Sequence, residues 1–115
     1  MCLLLSPSPG AIAAEVEGDH RTAANHFLRV AQAAPASKIR PLAEYDASAA
    51  LIALEDWSGA ADVLESFREE HPQHELQRDA TKQMAFVRAK EGDQMRAAQE
   101  WERVAADAVE PEARR

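Results

Sequence analysis

One register runs through this chain three times. Glu17-Gly-Asp-His-Arg-Thr-Ala-Ala24, Leu54-Glu-Asp-Trp-Ser-Gly-Ala-Ala61 and Glu91-Gly-Asp-Gln-Met-Arg-Ala-Ala98 align without a gap. Asp19, Asp56 and Asp93 stand 37 residues apart, since 56 − 19 and 93 − 56 are equal. The same interval relates Ala23, Ala60 and Ala97, then Ala24, Ala61 and Ala98, then Phe27, Leu64 and Trp101, then Val30, Phe67 and Val104. A unit of roughly 20 to 50 residues cannot cover its own apolar face and does so by stacking on copies of itself. The repeat therefore constrains the chain to a solenoid, an architecture that presents surface to other macromolecules.

Between the repeated segments the apolar residues return at helical spacing. Leu76, Ala80, Met84 and Val87 form one stripe, Val63, Leu64 and Phe67 a second, and Phe27, Val30 and Ala31 a third. No period-two strand pattern occurs, and the abundance of Ala and Leu agrees with helix. Gly18 and Gly92 suit left-handed helix ends, and Asp19, Asp56 and Asp93 suit the N-caps that follow. Pro35 and Pro72 close the second helix of repeats one and two, while Ser37 and Pro41 suit the start of the next helix. Helices are predicted near 11–17, 20–33, 39–54, 57–70, 74–91 and 94–108, with a seventh beginning at Pro111.

The bulk numbers exclude several classes. With 115 residues the chain suits one compact unit, and 13 basic against 20 acidic residues give −7, which disfavours nucleic acid and anionic membranes as partners. Cys2 stands alone, so no internal disulfide forms. No stretch approaches the roughly 20 apolar residues of a membrane span, and the Leu3–Leu5 run is too short for a secretory signal.

The residues Ala23-x₃-Phe27…Pro35, Ala60-x₃-Leu64…Pro72 and Ala97-x₃-Trp101 resemble the second helix of tetratricopeptide repeats. The first-helix half matches less closely. Glu44, Ala47-Ser48 and Leu51 in repeat two, and Thr81, Met84-Ala85 and Arg88 in repeat three, stand where that family has an aromatic, leucine-glycine and tyrosine. The longer repeat and the Arg68-Glu-Glu-His-Pro72 ending are similar to tetratricopeptide proteins of the bacterial cell envelope, which assist outer-membrane assembly and division. The resemblance implies an all-α, right-handed solenoid of helix-turn-helix units, with a concave groove for an extended peptide or a partner helix. It also implies a non-catalytic scaffold without cofactor, in the cytoplasm or at the envelope. One version of the family grips a C-terminal carboxylate with lysines and asparagines. The corresponding faces here carry Tyr45, Asp46 and Ala49, then Lys82, Gln83 and Phe86, and so depart from it.

Phe86 lies two residues from Met84, about 200° round the helix from it and away from the core stripe, and is the candidate groove aromatic. Tyr45, Ile52, Lys82 and Lys90 are assigned to the same partner-binding surface. Trp57 reads as a packing residue over the helix pair, and the register gives Trp101 an interior position beside Phe27 and Leu64. His71 and His74, with His20 and His26 a repeat away, lack the roughly four converging ligands of a closed metal site and read as surface imidazoles. No nucleophile, base and orienter set or phosphate loop is visible, so the chain is read as no enzyme.

The expected organisation is an irregular segment over 1–10, repeats over 11–37, 38–73 and 74–110, and the opening of a further repeat over 111–115, as in a piece of a longer array. Trp101 and Val104 have little after them to cover them, so they are expected to drive self-association; a self-associating structural module, or a regulatory fragment of a longer repeat protein, is the alternative to partner capture.

Overall fold

The computed structural model describes the backbone of residues 9–113 and the side chains of residues 17–107. Five helices follow in order: α1 (Pro9–Ala33), α2 (Ile39–Ala53), α3 (Trp57–Glu70), α4 (Gln77–Lys90) and α5 (Gln94–Ala113). No strand occurs among the described residues. Each helix packs on the next one along the chain.

Two of the three repeated turns are closed in the same way. After α2 the N–H of Glu55 donates to Ile52 O and that of Asp56 to Leu51 O, and after α4 Gly92 N–H donates to Ala89 O and Asp93 N–H to Arg88 O. These paired bonds define Schellman caps, which need a left-handed residue at their centre. Gly92 (φ 86°) and Glu55 (φ 61°) supply it, 37 positions apart. Each cap then hands over to an aspartate. Asp56 Oδ1 accepts from Gly59 N at 3.0 Å, and Asp93 Oδ1 accepts from Arg96 N at 3.0 Å.

The first repeat departs from this pattern. Helix α1 runs unbroken through Gly18 and Asp19, so the predicted turn there and the Asp19 cap do not form. A reversal is worth forming when the helices on either side can bury stripes against each other, as α2 with α3 and α4 with α5 do. Carrying glycine inside a helix costs only about 1 kcal/mol. The other end differs too: α5 continues through Pro111 to Ala113, where a new helix was expected. The expected irregular segment lies outside the described residues over 1–8, while Pro9 and Gly10 are helical.

Between α1 and α2 the N-cap of α2 is Lys38, one residue after the serine expected to cap it. Ser37 Oγ accepts from Ile39 N at 3.1 Å, and Pro41 is buried in the first turn of α2. Between α3 and α4 the turn is longer than predicted, and α4 begins at Gln77 rather than near 74. His74 Nδ1 accepts from Leu76 N, and the Gln77 amide donates to Arg68 O and His71 O, capping the last carbonyls of α3.

The core centres on α3. Leu64 and Phe67 are fully buried, and meet Leu51 of α2, Met84 and Val87 of α4 and Ala24 of α1 in one cluster. Each side chain of this size contributes about 1.5–3 kcal/mol by leaving water. Ala24, Ala60, Ala61 and Ala80 bury in the same cluster, so small residues set how closely the helices approach.

Candidate functional site

The outer face of α4 carries an exposed aromatic ring. Phe86 is 43% exposed, and it is braced. The Trp57 ring from the start of α3 meets it edge to face at 5.9 Å between centroids, and Lys90 Nζ stands 5.5 Å over it. Lys82 and Lys90, four residues either side of Phe86, continue the same helical face, and both are exposed. A ring fixed by a second ring and flanked by two ammonium groups offers an apolar contact with positive edges.

Tyr45 and Ile52 do not join this patch as free surface. Both are partly buried and pack on the core, Tyr45 with its ring 6.1 Å from that of Phe67. The expected five-residue surface therefore reduces to Lys82, Phe86 and Lys90. Trp57 is half-buried against the core, as expected of a packing residue, and also supports Phe86.

The last helix corrects two further expectations. Trp101 is 50% exposed instead of interior, whereas Leu64 at the same register is fully buried. Helix α3, which carries Leu64, packs between α2 and α4, whereas the main packing partner of α5 is α4. Val104, expected on an open end, is only 7% exposed and belongs to the interior.

A second feature lies where α1, α2 and α3 meet. A cleft of about 250 Å³ is lined by Leu28, Ala31, Arg40, Glu44, Val63 and Glu70 among others. Glu44, only 5% exposed, accepts from Arg40 Nε at 2.9 Å, and the same guanidinium reaches Glu70 Oε2 at 2.7 Å. The Glu44 and then the Glu70 hydrogen bonds hold the Arg40 guanidinium protonated even more firmly than usual. His71 Nε2 lies 3.4 Å from Glu44 Oε1. Glu44 Oε2 is buried without a hydrogen bond. His71 and His74 are not the surface imidazoles expected: both are partly buried with edges toward Phe67, at 5.3 and 5.6 Å.

Arginines also tie α3, α4 and α5 together. Arg68 holds the buried Glu100 through two bonds of 2.8 and 3.0 Å, and Arg88 bridges Glu65 and Glu91. Each charge has an opposite partner, so this network acts as a clamp between helices.

Searched against protein-family models, curated proteins and solved structures, the chain matches none of them.

Glu44 and Glu100 are the residues that sequence reasoning missed. A signal existed for Glu44. It shares a helical stripe with Ala47, Ser48 and Leu51, all buried, so a carboxylate in that stripe had to be interior and paired. Its partner from α3 required the tertiary fold.

Proposed function

We propose that the chain is a non-catalytic protein-protein interaction module of tetratricopeptide-like type, a right-handed stack of helical hairpins that holds a partner segment within a multiprotein assembly. The observation that carries this reading is Phe86, held half-exposed by Trp57 and Lys90. An aromatic whose position is already set loses little freedom when a partner covers it. The partner is a peptide or helix with an apolar anchor for Phe86 and acidic groups for Lys82 and Lys90.

The interior supports the repeat type. The first-helix positions 44, 47, 48 and 51 are buried, as are 81, 84 and 85 one repeat later, with the Arg88 side chain largely covered. These are the places where the resembled family keeps its signature, although the residues differ. No helix among the described residues is long and apolar enough to cross a membrane. The compartment, cytoplasmic or at the bacterial envelope, rests on the resemblance alone.

Selection from a random peptide library tests the reading. Enrichment of an apolar anchor flanked by Asp or Glu, lost when Phe86→Asp is the bait, is the expected result. The same consensus from both baits, or none from either, overturns it. Tyr45→Asp is unsuitable as a second bait because Tyr45 packs against Phe67.

Trp101 favours a second reading, self-association through α5. Its ring is half-exposed at a register position that is closed one repeat earlier. Sedimentation velocity decides it: a mass that rises with concentration and falls to that of the monomer in Trp101→Glu supports this route, and a concentration-independent monomer removes it.

A further inference from the structure

We propose that Glu44, Glu70 and His71 form a binding site for a divalent transition-metal ion of the zinc type, and that Arg40 is the internal cation the metal displaces. One ligand atom from each of these three residues lies within 4.8 Å of the others. They come from two elements, Glu44 from the middle of α2, and Glu70 and His71 from the end of α3.

The second observation is the Glu44 carboxylate itself. It is more than nine-tenths buried, and its Oε2, 3.4 Å from His71 Nε2, accepts no hydrogen bond. A buried carboxylate oxygen without a hydrogen bond costs free energy, and in folded proteins such an atom commonly has an ion or a water to meet. Two carboxylates and one imidazole are a ligand set that suits zinc, whereas magnesium and calcium prefer oxygen alone.

Zinc bonds of about 2.0–2.2 Å place tetrahedral ligand atoms about 3.4 Å apart. The present spread closes by a rotation of Glu70, whose side chain is the most exposed of the three. His71 is already oriented, with its ring against Phe67. With Arg40 in place the two carboxylates and the guanidinium sum to −1, and with zinc in its place they sum to zero. Arg40 also lines the open cleft beside Glu44, which gives the displaced guanidinium room. Three protein ligands leave a fourth position for water or for a group from a partner.

The test is zinc titration of the untagged chain by calorimetry, with cobalt absorption as a readout of coordination geometry. Zinc is expected to bind one to one. Glu44→Gln and His71→Gln are expected to weaken it by about tenfold or more, in the range of losing a ligand's support, and His74→Gln to leave it unchanged. Arg40→Gln removes the competitor and is expected to tighten binding. That variant also leaves Glu44 short of a counter-charge, so its melting temperature is expected to fall without zinc and to recover with it. Glu44→Gln should show no zinc-dependent recovery. Absence of one-to-one uptake, uptake indifferent to Glu44→Gln and His71→Gln, or failure of zinc to restore Arg40→Gln would each overturn the site.

Discussion

Positions 18, 55 and 92 share one register, yet the structure assigns them two conformations, and three substitutions expose the difference. Gly18 lies inside α1, and a Cβ added there meets nothing within 4 Å. Gly18→Ala is therefore expected to stabilise the protein by about 1 kcal/mol, the helix preference of alanine over glycine. Gly92 has φ 86°, and its Cβ would also meet open space, so Gly92→Ala adds no clash but holds alanine in the left-handed region. That costs about 1–2 kcal/mol, reduced by about 0.5 kcal/mol through the stiffer unfolded chain, for a net loss near 1 kcal/mol. Glu55 already bears this strain at φ 61°, and Glu55→Gly is expected to recover about 0.5–1 kcal/mol. Thermal melts followed by far-ultraviolet circular dichroism read all three, at about 4 °C per kcal/mol for a chain of this size. The order expected is Gly18→Ala above wild type, Glu55→Gly slightly above it and Gly92→Ala below it. Gly18→Ala falling with Gly92→Ala would mean that the first repeat reverses at Gly18, and the account of α1 as one helix would fail.

Other consequences are checked as directly. Arg68→Met leaves Glu100 buried with Arg103 as its remaining arginine at 3.3 Å, and is expected to cost about 3 kcal/mol, while Arg68→Met with Glu100→Met returns to within about 1 kcal/mol of wild type. Urea denaturation of the double-mutant cycle measures this, and additive losses would show that the two are not a coupled pair. Leu64→Ala is expected to cost about 2–5 kcal/mol, and Trp101→Ala, at the same register but half-exposed, well under half of that. Equal losses in the same denaturation assay would refute the exposure assigned to α5. Trp57→Ala removes the brace of Phe86, so binding of a selected peptide should weaken several-fold even with Phe86 intact; an unchanged affinity in fluorescence titration would show that the ring needs no support.

Much of the helical layout was legible because its causes are local. The 37-residue register, the stripes of Leu76, Ala80, Met84 and Val87, and the aspartate caps at 56 and 93 depend on residues a few positions apart. The same reasoning failed at Gly18, where the local signal matched that of Gly92 yet α1 runs on as one helix. It failed again at Trp101, whose register says interior and whose neighbours leave it half-exposed.

The candidate sites divide along the same line. Phe86 was legible because it stands about 200° round the helix from Met84, off the core stripe. Tyr45 and Ile52 were placed with it on helix geometry alone, and the fold turned them toward Phe67 and the core. By itself the sequence determined the helical class, the period and the ends of most helices, since hydrogen bonding, capping and apolar spacing act over one or two turns. Only the tertiary structure decided which turns form, which aromatic stays open, and that Glu44 meets Glu70 and His71, because those depend on contacts between residues some 26 positions apart, for which no local pattern exists.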